Sequence, residues 1–322
     1  MSTSFSDQNY NRSVIGRSLI DLNHLSSAKI YELFNHSLNL KKEYEQNNWS
    51  KQVQVKGLAA LLFFEPSTRT RFSFESACVR SGVHPLILDG GQGTSLEKGE
   101  TLEDTVSNIE AMKPLFFVIR APDDFPFSDL CNNLAVPMIN AGWGMKGHPT
   151  QALLDMLTVY EKFETVENKN VLFIGDIKHS RVVSSHLQLA EKLNYHIGYC
   201  CPDSFMPQQA SLMNPRLHLF NKLEQALQWA DAAVALRVQK ERHFGEKLNL
   251  QGYIDQYALT EKSIKALKPS ALIMHPGPIN YGVEMDQRVT NDSRAVILKL
   301  VQNGTFLRQA VIQNILNAGV FL

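Results

Sequence analysis

The chain has 322 residues, 44% of them hydrophobic and 20% charged, and its 32 basic side chains are matched by 32 acidic ones. That balance excludes a global field drawing in nucleic acid or a membrane surface, so any anion site has to be a local concentration of charge. The length accommodates about two domains with a sizeable core, and no apolar run reaches the length of a membrane span.

The four cysteines, Cys78, Cys131, Cys200 and Cys201, form no C-x-x-C pair. This predicts reduced structural thiols and a cytoplasmic protein. The first stretch, MSTSFSDQNYNRS, is polar and has no apolar h-region, which argues against a signal peptide. In chain order, a helical pattern (SSAKIYELFNHSLNLKKEYEQ) precedes the strand GLAALLFF, and HPLILD, the helix TLEDTVSNIEAM, LFFVIR and VPMIN follow. A helix then runs from Thr150 to Phe163, and a break falls at ENKN, residues 167 to 170. Beyond it come VLFIGD, the helix RVVSSHLQLAEKL, YHIGYCC, LHLF, AAVALR and ALIMH. Short apolar runs alternating with amphipathic helices predict an α/β fold, two domains each built on a mostly parallel sheet flanked by helices.

Polar clusters follow the carboxyl ends of these strands: EPSTRTR, IRAP, INAGWG, IGDIKHSR, LRVQKER and MHPGP. Ligands of open parallel sheets bind at those ends, so six clusters there predict one crevice between the two halves. In EPSTRTR, Pro66 and Ser67 start a helix that Gly82 closes, which puts residues 67 to 70 in its first turn. There the backbone N–H groups lack intrahelical partners and the dipole end is positive. Ser67, Thr68 and Thr70 add hydroxyls, and Arg69 a planar charged fork suited to phosphate. This is an anion site without a Walker pattern; the bland alternative is a capped helix with two solvated arginines. VLFIGD before a helix invites a dinucleotide reading, but it offers one glycine where G-x-G-x-x-G needs three.

STRTR after a strand, HPTQALLD at 148 to 155 and HPGPINYGVE at 275 to 284 resemble, in this order, the transcarbamoylase family. Within it they are most similar to the members whose acceptor is aspartate. The resemblance runs from RSLIDLNHLS near the start to NGTFLRQAV near the end. It implies transfer of the carbamoyl group of carbamoyl phosphate to the α-amine of L-aspartate, with no cofactor and no metal. It also implies a carbamoyl-phosphate domain of residues 1–149 plus a C-terminal helix, 293–322, and an aspartate domain of residues 150–292.

By the same resemblance, Ser67, Thr68, Arg69 and Thr70 bind the phosphate, and Arg120 and His148 share the charge developing on the carbonyl oxygen. Gln151 and the backbone carbonyls of Pro276 and Gly277 hold the carbamoyl NH2. Ser95 and Lys98, in the glycine-rich stretch GGQGTSLEKGE, reach into a neighbouring subunit's site. Arg181 grips the α-carboxylate of aspartate, and Arg237 and Gln239 its side-chain carboxylate; Lys98 belongs to both substrates. Taken singly, His148 reads as a helix cap, GGQGTSLEKGE as a mobile loop, ALRVQKER as a charged strand exit and MHPGP as a loop.

Family members form homotrimers, in some cases joined by regulatory or dihydroorotase-like chains. Two positions depart from the family pattern: Tyr281 stands where arginine is frequent, and Val182 where threonine is. Ornithine as acceptor is the nearest rival. A δ-ammonium calls for acidic side chains where this chain offers Arg237, Gln239 and Lys240. A catalytically silent relative would have lost part of the set Arg69, Lys98, Arg120, His148, Arg181 and Arg237, and all six are present.

Overall fold

A computed structural model describes residues 16–47, 54–90, 93–207, 214–238, 249–317 and 321. The chain forms two compact units, Met1–Leu154 with Val301–Leu322, and Asp155–Leu300. Among the described residues, no helix is long and apolar enough to cross a membrane.

The first unit opens with helix α1 (Ser27–Asn47) and strand β1 (Gly57–Phe63), followed by α2 (Thr68–Arg80) and β2 (Val83–Asp89). Next come α3 (Leu102–Glu110), β3 (Phe117–Ala121), α4 (Phe127–Asn133), β4 (Met138–Trp143) and α5 (Pro149–Phe163). Its four strands pair in the order β2-β1-β3-β4, all parallel. Parallel sheets carry helices on both faces, so their strands read as unbroken apolar runs. Residues 59 to 63 of β1 are accordingly all buried. The edge strand β2 is more open instead, with Leu86 and Ile87 exposed on opposite faces.

The second unit holds β5 (Asn170–Ile174), α6 (Arg181–Leu193), β6 (His196–Cys200), β7 (Leu217–Leu219), α7 (Leu223–Trp229) and β8 (Ala232–Ala235). It continues with α8 (Leu250–Tyr257) and β9 (Leu272–Met274); α9 (Ile297–Leu316), which from Val301 on belongs to the first unit, closes the element series. The strand order is β7-β6-β5-β8-β9, again parallel throughout. All nine strands foreseen from the sequence are present, and so are the four helical patterns.

Helix α6 shows how local sequence builds an element. The side chain of Ser180 accepts from Val183 N at its start, and Asn194 ends it in a left-handed turn at φ 60°. Val182, His186, Leu189 and Leu193 recur at helical spacing and are buried. Each aliphatic side chain of that stripe contributes about 1.5–3 kcal/mol by leaving water. His186 is held inside by Tyr195 and Asp155: Nδ1 lies 2.8 Å from the Tyr195 hydroxyl and Nε2 3.2 Å from Asp155 Oδ2. Removing one partner of such a buried set costs about 3–5 kcal/mol, because the other is left uncompensated.

All four cysteines are free thiols, and all are buried. Burial pushes the thiols of Cys78 and Cys200 from the ordinary 9.0 up to about 12, helped at Cys78 by Glu75, and raises Cys131 and Cys201 as well. With folded values above unfolded ones, the neutral thiols stabilise the fold fully below about pH 9, and that contribution fades as pH climbs toward 12. At pH 8, native protein should therefore resist iodoacetamide at Cys78 and Cys200, and denaturant should open both to alkylation within minutes. Peptide mass mapping checks this, and rapid labelling of either thiol in the native state would contradict it.

Candidate active site

In the first unit, the described candidates sit after the carboxyl ends of its strands. Helix α2 begins directly after β1, with Ser67 as its N-cap in extended geometry and without a side-chain cap hydrogen bond. Four other helices are capped by side chains, α1 by Ser26, α3 by Thr101, α6 by Ser180 and α8 by Asn249. The Ser67 side chain thus takes up none of the first-turn amides of α2. Thr68 and Arg69 are exposed there, and Thr70 is buried.

The two arginines of STRTR have different jobs. Arg71 binds Asp89 at the end of β2, lies 3.2 Å from Glu75 and stacks on Phe72, so it braces the helix against the edge strand. Arg69 is exposed on the first turn.

Strand β3 is the next neighbour of β1, and Arg120 stands opposite Phe63 across that pair. Phe64 N–H donates to the Arg120 carbonyl at 2.9 Å, and the Arg120 guanidinium lies 3.6 Å from Glu65. The guanidinium is thereby held beside the loop that starts α2. One strand further, β4 leads to His148, which is buried and begins α5 through main-chain bonds from Gln151 and Ala152 to its carbonyl. Gln151, one turn on, is also buried.

The route from β4 to His148 is tightly specified. Asp123 Oδ1 accepts from Met145 N at 2.6 Å, and the Asp123 carbonyl accepts from the Trp143 indole at 3.2 Å. Gly144 has φ +42°, and a Cβ there would sit 2.0 Å from Asp123 Oδ1. Only glycine fits.

Ser95 and Lys98 fall on a 3₁₀ turn, Ser95–Lys98, closed by Gly99 at φ 93°. Both are exposed. The stretch read as a loop thus carries one ordered turn, while Gly91 and Gln92 lie outside the described residues.

The second unit repeats the scheme on β5, β8 and β9, which are adjacent. After β5, Gly175 takes φ +107°, where a Cβ would meet the Tyr253 hydroxyl at 2.7 Å and the Leu236 carbonyl at 3.0 Å. Asp176, fully buried, faces His179 Nδ1 at 2.8 Å. That contact folds the loop onto Ser180 and sets Arg181 at the first position of α6, half-buried. After β8, Leu236 N–H donates to the Ile174 carbonyl at 2.8 Å and fixes the exit that carries Arg237. Gln239 and Lys240 lie outside the described residues.

After β9, the turn runs through His275, Pro276 and Gly277, with Gly277 at φ 74° and a cis bond to Pro278. Among the described residues, neither the Pro276 nor the Gly277 carbonyl accepts a main-chain hydrogen bond. Of the two departures, Val182 is buried on α6, and Tyr281 is exposed in a bridge with Met285.

Sequence reasoning overlooked the side chains that hold the candidates: Glu65 beside Arg120, Asp123 under the loop to His148, Asp176 with His179, and Glu284 near His275. The i, i+3 spacing of Asp176 and His179 was a usable signal. Glu65 pairs across strands, and spacing along the chain does not report such pairs.

Two family models divide the chain between them. Residues 17–161 match the aspartate/ornithine carbamoyltransferase carbamoyl-P binding domain, and residues 167–315 match the Asp/Orn binding domain of the same family. The aspartate carbamoyltransferase catalytic subunit of Chlorobium chlorochromatii is 37% identical over 92% of this chain and 97% of its own. That of Thermus thermophilus is 37% identical over 93% and 98%. Among solved structures, aspartate transcarbamoylase from Trypanosoma cruzi with N-(phosphonacetyl)-L-aspartic acid has a TM-score of 0.83 and 28% identity, over 93% of this chain and 96% of that one. The same enzyme with carbamoyl phosphate and aspartate has a TM-score of 0.82 at 28% identity, over 93% and 97%. With two successive domain models matched and relatives this similar along almost its full length, the chain belongs to the aspartate/ornithine carbamoyltransferase family.

Proposed function

We propose that this protein is an aspartate carbamoyltransferase, which joins carbamoyl phosphate and L-aspartate into N-carbamoyl-L-aspartate and phosphate in an early step of de novo pyrimidine synthesis. The observation that carries this reading is the row of strand ends β1, β3 and β4. They set an uncapped, hydroxyl-rich helix start, the Arg120 guanidinium and His148 side by side in one unit. A phosphate bearing an activated acyl carbon suits that row.

Residues 1–149 with 293–322 form the carbamoyl-phosphate domain, and residues 150–292 the aspartate domain. The amide groups and hydroxyls of Ser67, Thr68 and Thr70, with the Arg69 guanidinium, take the phosphate. Ser95 and Lys98 close over it. The α-amine of aspartate attacks the carbonyl carbon, so a C–N bond forms and the carbonyl oxygen gains negative charge. Arg120 and His148 stabilise that charge, each such donor worth roughly 3–4 kcal/mol. The C–O bond to phosphate then breaks, phosphate leaves as an anion and the amine proton departs with it.

Gln151 and the carbonyls of Pro276 and Gly277 orient the carbamoyl NH2. Arg181, Arg237 and Gln239 clamp the two carboxylates of aspartate, and Lys98 assists there. Holding two reactants in line contributes up to ~7–11 kcal/mol, and the acyl carbon arrives already activated. The work left to the protein is placement and charge stabilisation.

Chains assemble as homotrimers with shared sites in this reading, in the cytoplasm. The exposed apolar residues Phe72 and Val79 on α2, with Leu86 and Ile87 on the edge strand β2, support self-association.

Three results test the proposal. Purified protein given carbamoyl phosphate should turn over aspartate and not ornithine; the reverse preference, read by product chromatography, would refute it. Arg69→Ala should lower kcat by at least ~10² through loss of a charge-stabilising contact, and near-normal turnover would remove Arg69 from the site. Mixing inactive Lys98→Ala chains with inactive Arg69→Ala chains, after dissociation and reassembly, should restore part of the activity. No recovery after verified subunit exchange would count against a site shared between protomers.

A further inference from the structure

The turn at Pro276 and Gly277 is held by side chains that none of the roles above uses. His275 ends the run out of β9 and is buried. The Gly277 N–H donates to His275 Nδ1 at 2.8 Å. A ring nitrogen that accepts from an amide carries no proton, so in the neutral imidazole the proton sits on Nε2. Nε2 faces Glu284 Oε1 at 3.4 Å. Glu284 is fully buried, and the same oxygen accepts from Asn280 N–H at 2.6 Å.

The backbone of Glu284 is anchored as well. Its carbonyl accepts from Leu259 N at 3.0 Å, and Asp286 N donates back to the Leu259 carbonyl at 2.9 Å. Gly282 N–H reaches the Met285 carbonyl at 3.0 Å. The segment from 275 to 284 is thus closed at two points, Gly277 to the imidazole and Asn280 to the carboxylate. The first point is the amide of the peptide that carries the Pro276 carbonyl, and the Gly277 carbonyl lies between the two.

We propose that His275 is a positioning residue for carbamoyl transfer: its unprotonated Nδ1 fixes the turn that presents the Pro276 and Gly277 carbonyls, and the negative charge of Glu284 beside Nε2, a close contact without hydrogen-bond geometry, favours the proton on that nitrogen. This rests on the carbamoyltransferase reading of the site. The requirement is for an acceptor at residue 275, two positions before the Gly277 amide. Asparagine, whose side-chain oxygen accepts from the backbone two residues on, meets it; alanine does not. Misplacing a reacting group by about 1 Å is worth ~10²-fold in rate, which sets the size of the expected effect.

The test compares wild type with His275→Ala, His275→Asn and Glu284→Gln in steady-state transfer from carbamoyl phosphate to aspartate. Nitrogen-15 spectra of histidine-labelled wild type, with His275→Asn assigning the signal, read the tautomer. The proposal expects His275→Ala to lose ~10²-fold in kcat with the KM for aspartate nearly unchanged, because the carboxylate clamps lie on other strands. His275→Asn should recover most of that loss. Glu284→Gln should fall between, and the wild-type signal should show Nδ1 without a proton.

Wild-type kcat in His275→Ala, an asparagine variant that folds yet is as impaired as alanine, or a wild-type ring protonated on Nδ1 would each overturn it. Should the alanine variant not fold, the wild-type tautomer and the asparagine variant still decide. Absence of any transfer by wild type would instead sink the proposed activity, and the tautomer would remain readable on its own.

Discussion

Phe63 and Arg120 stand side by side across the parallel pair β1–β3, and that alignment decides where positive charge gathers in the first unit. Strands running in one direction end at one edge of the sheet, so loops far apart in sequence come out together. The amide from Phe64 to the Arg120 carbonyl extends the ladder by one rung beyond β1. It ties the start of the α2 loop to the strand that bears the guanidinium. Were the strands antiparallel, alternate loops would leave from opposite edges, and Ser67, Arg120 and His148 would not share a row.

The same logic governs the second unit with different chemistry. There β5, β8 and β9 end beside one another and carry Arg181, Arg237 and the His275–Gly277 turn. In both units a buried or half-buried carboxylate stands behind the presented groups: Glu65 for Arg120, Asp176 for the loop of Arg181, Glu284 for the turn. In the proposed site a neutral protein with no overall field places a few cations locally, with acids that hold Arg120 directly and the loops around Arg181 and Gly277 through His179 and His275. Arg71 is the instructive counterexample, since its charge is taken up by Asp89 and Glu75. Spacing alone does not separate it from Arg69.

Much of this was legible in the chain. The apolar runs GLAALLF and VLFI have the length and continuity of strands buried on both faces, and polar clusters follow their ends. The helix start at Ser67 was readable from Pro66 and Ser67, although the Ser67 hydroxyl makes no cap bond. What was not readable is pairing across strands. Which of Arg71 and Arg69 reaches Asp89 depends on β2 lying beside β1, which no local pattern states. The ordered turn at Ser95–Lys98 was hidden by its glycines, which suggested a loop although Gly99 closes a short helix. The brace of Asp123 against the segment before His148 joins residues 22 positions apart, and it too lies beyond any periodicity.

That brace has an effect on whatever docks beside His148. With the Asp123 carboxylate filling the space where a side chain at Gly144 would project, and the Met145 amide tied to it, this stretch has little freedom left to lose. Ordering was completed when the chain folded. In the proposed site, a small anion arriving at that wall need not divert affinity into freezing a floppy segment, so more of its contact energy remains for alignment.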